Sequence, residues 1–158
     1  MVALVQRVSS AAVTVAQEQA GAIDTGLLVL LGVHRADTLA EATWLARKVA
    51  SLRVFPDEGG QMNHSLLDRI AAGESAGALV VSQFTLYGSL RKGTRPSYSE
   101  AARPHVAEPL YEQFVALLEE QLGQRVPTGV FGAKMDVSLV NDGPVTLWLE
   151  RRAQPAAS

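Results

Sequence analysis

The residue pattern predicts an α+β fold, in which a mixed, partly closed β-sheet or barrel has two main helices packed on it. Three observations carry that expectation. β-branched and apolar runs open the chain at residues 2–8 and 11–16 and close it at 135–140 and 145–150. Two longer segments, residues 37–52 and 104–122, repeat apolar side chains at helical spacing. The order β-β-β-β-α-β-β-α-β-β also lacks the regular βα alternation of a doubly wound sheet.

The first strands are VALVQRV and AAVTVA, followed by a turn over residues 17–20. Residues 21–26 then lead into LLVLLGV at 27–33, whose lack of alternation predicts a strand covered on both faces. Thr38 and Glu41 form a capping-box pattern for the first helix, with Leu39, Ala42, Ala46, Val49 and Leu52 on its apolar side. Arg47 and Lys48 come late in it, where cations suit the helix dipole. Residues 53–55 read as a short strand and 56–63 as a turn, with Asn63 capping one helical turn, SLLDR. The second helix, 104–122, directs Val106, Leu110, Phe114, Leu117 and Leu118 inward, contains Pro109, and ends at Gly123. The last two runs flank Asn141-Asp142-Gly143-Pro144, which reads as a hairpin turn with Asp-Gly supplying positive φ. Residues 1–150 are expected to form one domain and residues 151–158 a short disordered tail.

Composition narrows the function classes. With 158 residues the chain is long enough to bury roughly 70% of its unfolded surface. Its 47% hydrophobic and 19% charged content are those of a globular protein, and no apolar run approaches the ~18 residues of a membrane span. No signal peptide is read at the N-terminus, so the expected location is the cytoplasm. The absence of cysteine excludes disulfides and thiolate chemistry. His34, His64 and His105 lack ligand spacing, so neither a metal nor another cofactor is expected. Phosphate-binding glycine loops and a GxSxG elbow are also missing. A net charge of −2 does not advertise a nucleic-acid binder, although Arg91-Lys92-Gly93-Thr94-Arg95 is locally basic, and Arg103, His105 and the pair Arg151-Arg152 follow. That loop reads equally as a solvated surface or as a phosphate contact.

Residues 78–88, ALVVSQFTLYG, carry the most suggestive pattern. An apolar strand ends on Ser82, Gln83, Phe84 and Thr85, a rigid way to present reactive groups. On residue types alone, ordinary polar residues leaving a sheet are the better reading.

Taken together, MVALVQRV, GLLVLLGV, MNHSLLD, SQFTLYG, KGTRPSY and TGVFGAKMDVSLVNDGPVT resemble the D-aminoacyl-tRNA deacylases, from Met1 to about Glu150. The combination of SQFT with a later NDGPVT is the specific part; Tyr98, where the family often has Phe, is a minor departure. The resemblance implies a metal-free homodimer that hydrolyses the ester of D-aminoacyl-tRNA and of glycyl-tRNA. It implies a site shared across subunits, with a Gly-cisPro pair, here Gly143 and Pro144, reaching into the partner and rejecting L-amino acids. Ser82, Gln83, Phe84 and Thr85 become the catalytic segment. Within it the amides of Phe84 and Thr85 are candidate oxyanion donors, and Thr85 either frames the site for water or acts as nucleophile. Arg7 would pin the Gly-Pro unit. Phe131, Gly132, Ala133 and Met135 would receive the terminal adenine, the alternative being that Phe131 and Met135 belong to the core. Two other functions compete: a non-catalytic nucleic-acid-binding module on this fold, and a related editing deacylase for a mischarged small L-amino acid. The intact SQFT argues against the latter.

Overall fold

The computed structural model describes residues 1–154; the expectation of disorder for the last four tail residues lies outside them. The elements are β1 (Val2–Val15), β2 (Glu18–Ile23), β3 (Gly26–Gly32), α1 (Leu39–Ala50), β4 (Phe55–Pro56), β5 (Met62–His64), α2 (Leu66–Ala71), β6 (Gly77–Ser82), α3 (Pro104–Leu122) and β7 (Asp136–Glu150). A 3₁₀ turn, Phe84–Tyr87, follows β6. The fold is α+β, as the residue pattern predicts. No helix is long and apolar enough to cross a membrane among the described residues.

β1 is the spine of the main sheet. One side pairs antiparallel with β3 through its first half and with β2 through its second, while β7 runs antiparallel along the other side. β6 extends the sheet parallel to β3. The two strands expected over residues 2–16 are therefore one, because β7 spans the polar Ser9-Ser10 step and holds both halves in one ladder. Ala16 and Gln17, both at positive φ, make the tight turn into β2, which is a separate strand rather than a lead-in to β3.

The final two strands are likewise one, and the hairpin turn at residues 141–144 does not form. Gln6 pairs with Thr146 and Val8 with Asn141, so Asp142, Gly143, Pro144 and Val145 all stand opposite Arg7 alone. The segment loops out of a ladder that continues beyond it, which is a large bulge. The turn signal was local; the pairing with β1 on both flanks decided the outcome.

β3 and β6 are buried on both faces. Leu27, Val29, Leu31, Ala78 and Val80 meet the helices, with Leu45, Ala46, Val49, Phe114 and Leu118. On the opposite face Leu28, Leu79 and Val81 pack with Val8, Ala11 and Val13 inside the curl of the sheet. α1 begins at the expected capping box, with Thr38 and Glu41 bonding reciprocally. Its apolar side is rotated from expectation: Leu39 is 50% exposed, and Leu45 is buried instead. α3 has the expected bounds, with Pro109 inside, and ends on Gly123 in the left-handed conformation. It buries Ala107, Tyr111, Phe114, Leu118 and Leu122 and leaves Val106 exposed. Ser65 rather than Asn63 caps α2, in a second box with Asp68. The short strand expected at 53–55 forms over Phe55–Pro56 and pairs with β5.

Candidate active site

Parallel pairing of β3 and β6 ends at Leu31 opposite Ser82, and this delivers the SQFT segment to the sheet's edge. The Gln83 amide donates to the Leu31 carbonyl at 2.8 Å, extending the ladder by one bond. The chain then tightens into the 3₁₀ turn, with Leu86 N–H bonded to the Gln83 carbonyl at 3.3 Å. A 3₁₀ turn leaves its first amides without acceptors inside it. Here those include Phe84 and Thr85, which have no acceptor outside the turn among the described residues. Both residues are exposed, Phe84 to 57%. The Phe84 ring meets Tyr98 edge-on, with centroids 5.0 Å apart.

The Thr85 hydroxyl is hydrogen-bonded to the Gln83 side-chain amide. Gln83 Nε2 is the donor there and an amide is far too weak a base to take a proton, so Thr85 has no general base beside it among the described residues. Behind the turn, Tyr87 stacks at a tilt on His34, at 5.3 Å. Burial, reinforced by the charges of Asp37 and Glu150, raises the Tyr87 phenol far above its ordinary value, so it stays a neutral wall. His34 Nδ1 accepts from the Ala36 amide at 3.1 Å, and Nε2 faces Glu100 at 3.0 Å. The His34 hydrogen bond, then the charge of Arg35, holds the Glu100 carboxyl below its usual range. These contacts fasten residues 97–101 beside the turn.

The segment carrying Phe131, Gly132 and Ala133 lies at the other edge of β6. Val80 N–H donates to the Pro127 carbonyl and Gly129 N–H to the Val80 carbonyl, both at 3.1 Å, two residues before Ser82. Phe131 is half-buried with its ring 5.8 Å from Tyr111, whose hydroxyl donates to the Val80 carbonyl at 3.1 Å. Burial pushes the Tyr111 phenol up to about 12. Met135 packs on the inner cluster of the curled sheet, and its sulfur accepts from Val130 N–H at 3.4 Å. Sequence motifs alone did not single out Tyr87 or Tyr111, because a tyrosine gives no sign of its partner until the fold is formed.

Gly143 and Pro144 are joined by a cis peptide bond and stand exposed on the bulge. Arg7 holds the segment: Nε reaches the Asp142 carbonyl at 3.2 Å and its carboxylate at 3.1 Å, and Nη1 donates to the Val54 carbonyl at 2.6 Å. Gly143 has φ +119°, and a Cβ there would stand 2.7 Å from Arg7 Nη2. Asn141 braces the base of the bulge through the Thr146 hydroxyl and the Val145 amide, a role its turn-like context had concealed.

Register measures how far apart the two halves lie. Ser82, Leu31, Ala3 and Leu149 stand in one line across β6, β3, β1 and β7. The bulge lies opposite Arg7, four residues further along β1 than Ala3. Three inter-strand spacings and four residue rises put SQFT and Gly143-Pro144 roughly 20 Å apart within one chain. SQFT and the Phe131 segment are thus neighbours, and the Gly-Pro unit is remote from both. Among the described residues no group of three or more His, Asp or Glu side chains gathers to hold a metal ion.

Comparison with known proteins identifies the family of the chain. The family model described as D-Tyr-tRNA(Tyr) deacylase matches residues 4–150. A D-aminoacyl-tRNA deacylase of Salinibacter ruber is 61% identical over 153 residues, covering 97% of this chain and 99% of that protein. One of Thermus aquaticus is 56% identical, covering 98% of each. The solved structure of a c-Myc DNA Unwinding Element Binding Protein superposes with a TM-score of 0.87 at 41% identity, covering 97% of this chain and all of that one. A probable eukaryotic D-amino acid tRNA deacylase shares the fold, with a TM-score of 0.77 at 15% identity, covering 94% and 97%. Matched along almost its whole length by the family model and by relatives more than half identical, the chain belongs to the D-Tyr-tRNA(Tyr) deacylase family.

Proposed function

We propose that this protein hydrolyses the ester linking a D-amino acid to the 3′-terminal adenosine of tRNA, and also accepts glycyl-tRNA. The observation that carries the reading is the pair of acceptor-free amides of the exposed residues Phe84 and Thr85, on a turn anchored to a buried strand. Water attacks the ester carbonyl, assisted by the vicinal ribose hydroxyl of the substrate. Negative charge gathers on the carbonyl oxygen, and the two amides receive it. One such preorganised donor is worth about 10²–10³ in rate. Collapse of the tetrahedral intermediate expels the ribose oxygen and frees the amino acid and the tRNA. Thr85 frames this site; the absence of a base at its hydroxyl supports water over a threonine nucleophile.

Chirality is selected by rejection. The Gly143 and Pro144 carbonyls hold the substrate amino group, and their backbone leaves no room for a side chain in the L position. Glycine has nothing to reject and is hydrolysed as well. Since SQFT and Gly143-Pro144 lie roughly 20 Å apart in one chain, a complete site takes Gly143-Pro144 from a second copy. Exposed apolar side chains on β7, among them Val140 at 57% and Trp148 at 52% exposure, supply the homodimer contact. The terminal adenine stacks near Phe131, Gly132 and Ala133, with Met135 supporting that loop from inside, and the basic loop at 91–95 lies against RNA phosphate. The enzyme works in the cytoplasm without a cofactor.

The decisive experiment compares deacylation of D-Tyr-tRNA and L-Tyr-tRNA with no added metal, and the D ester alone should be cleaved. Hydrolysis of neither returns the chain to a non-catalytic nucleic-acid-binding module, the reading favoured by its 41% identity to a DNA unwinding element binding protein. Equal hydrolysis of both removes the chirality filter and keeps the esterase.

A further inference from the structure

On the outer face of α1, the Trp44 ring is 37% exposed. Two cations approach that ring: the Arg151 guanidinium at 5.6 Å and the Lys48 ammonium at 6.0 Å from its centre. Arg47 lines the same shallow groove, together with Thr43 and Ser51. None of the three cations is in an ion pair among the described residues, so each is free to meet an anion. The dipole at the end of α1 accounts for the presence of Arg47 and Lys48 there, yet it uses none of their hydrogen-bond donors. In a chain of net charge −2, three unpaired cations around one exposed indole form a local site for a polyanion carrying flat rings.

Its place in the fold indicates which polyanion. Arg151 follows β7 directly, and its amide donates to the Met1 carbonyl at 2.9 Å. Leu149 is in line with Ser82 across the sheet, so Arg151 lies at the same end as SQFT, about three inter-strand spacings away. A few nucleotides span that distance. We propose that Trp44, Arg47, Lys48 and Arg151 form a second RNA contact, which holds the tRNA strand upstream of the terminal adenosine while that adenosine occupies the site beside SQFT. The proposal rests on the deacylase reading for its ligand, and its test separates the two.

The test uses full-length protein carrying Arg47→Gln, Lys48→Gln and Arg151→Gln together, and a separate Trp44→Ala variant with Trp44→Phe as the conservative control. Binding of uncharged tRNA is measured by fluorescence anisotropy across a salt series, and hydrolysis is followed on D-Tyr-tRNA and on 3′-O-D-tyrosyl-adenosine. The triple variant should bind tRNA at least tenfold more weakly, with a salt slope shallower by about 2. Trp44→Ala should weaken binding several-fold, and Trp44→Phe should restore most of it. Turnover of the aminoacyl-adenosine should be unchanged in all of them. Unchanged tRNA affinity and slope overturn the proposal, as does equal loss on both esters, which places the defect in the fold or the catalytic segment. Unaltered tRNA binding with an altered sedimentation state also overturns it, assigning the face to a second copy of the chain. If even the unsubstituted protein cleaves neither ester but the variants still lose tRNA affinity, the RNA contact stands and the deacylase reading fails.

Discussion

At the level of single residues, two positions separate the roles of backbone and side chain. Thr85 has its hydroxyl tied to an amide that cannot take its proton. Thr85→Ala should therefore keep deacylation of D-Tyr-tRNA within about tenfold, because the Thr85 amide survives the change and a lost donor would cost about 10²–10³. Single-turnover kinetics read this, and complete loss with an unchanged melting temperature would restore the threonine nucleophile. Gly143 is constrained in the opposite way. Its φ of +119° and the nearby Arg7 guanidinium leave no room for a methyl group. Gly143→Ala should cost about 1–3 kcal/mol of stability and, by displacing the bulge, reduce discrimination between D-Tyr-tRNA and L-Tyr-tRNA. Thermal melts and paired rate measurements check the two effects separately.

Among the secondary-structure elements, the start of α1 is a self-contained electrostatic device. Thr38 N–H and Oγ1 both donate to a Glu41 carboxylate oxygen at 2.8 Å. Burial works to raise the Glu41 pKa, but the Thr38 hydrogen bonds outweigh it and the pKa is lowered. A carboxyl lowered in the folded state stabilises fully above its unfolded value, about 4.3, and loses that contribution as pH falls through the folded one. Thr38→Ala should therefore cost about 1 kcal/mol at neutral pH. The melting difference between the wild type and Glu41→Gln should shrink as pH is taken below about 4. A difference that persists to lower pH would mean that the box contributes through geometry alone.

Across the molecule as a whole, the fold leaves unsatisfied what a second copy can complete. β7 pairs with β1 alone among the described strands, and it leaves Leu139, Val140, Leu147 and Trp148 exposed. Val140→Asp with Trp148→Glu should convert a dimer to a monomer in sedimentation while the far-ultraviolet circular dichroism stays unchanged. If the site is shared between subunits, deacylation falls at least tenfold in the same variant. A monomer that retains full activity would confine catalysis to one chain and remove the need for Gly143-Pro144 to cross the interface.

What could be read from the residues without a fold was local: two capped helices, a strand buried on both faces, and a polar SQFT segment at the end of another strand. Periodicity and capping chemistry act over a few residues and need no distant partner. The residues also carried the family resemblance, which implied Arg7 beside the Gly-Pro unit; in the fold its guanidinium contacts Asp142. Whether 141–144 was a turn or a bulge was settled by tertiary pairing. An Asp-Gly-Pro signal is the same in both cases, and the pairing of Gln6 with Thr146 and Val8 with Asn141 chose between them. The same holds for Leu39 and Val106, apolar residues at helical spacing that face outward because the sheet lies on the adjoining side of each helix. Long-range pairing also set the separation of SQFT from Gly143-Pro144. Distance between segments so far apart in the chain depends on strand order and register, which no short stretch of residues encodes.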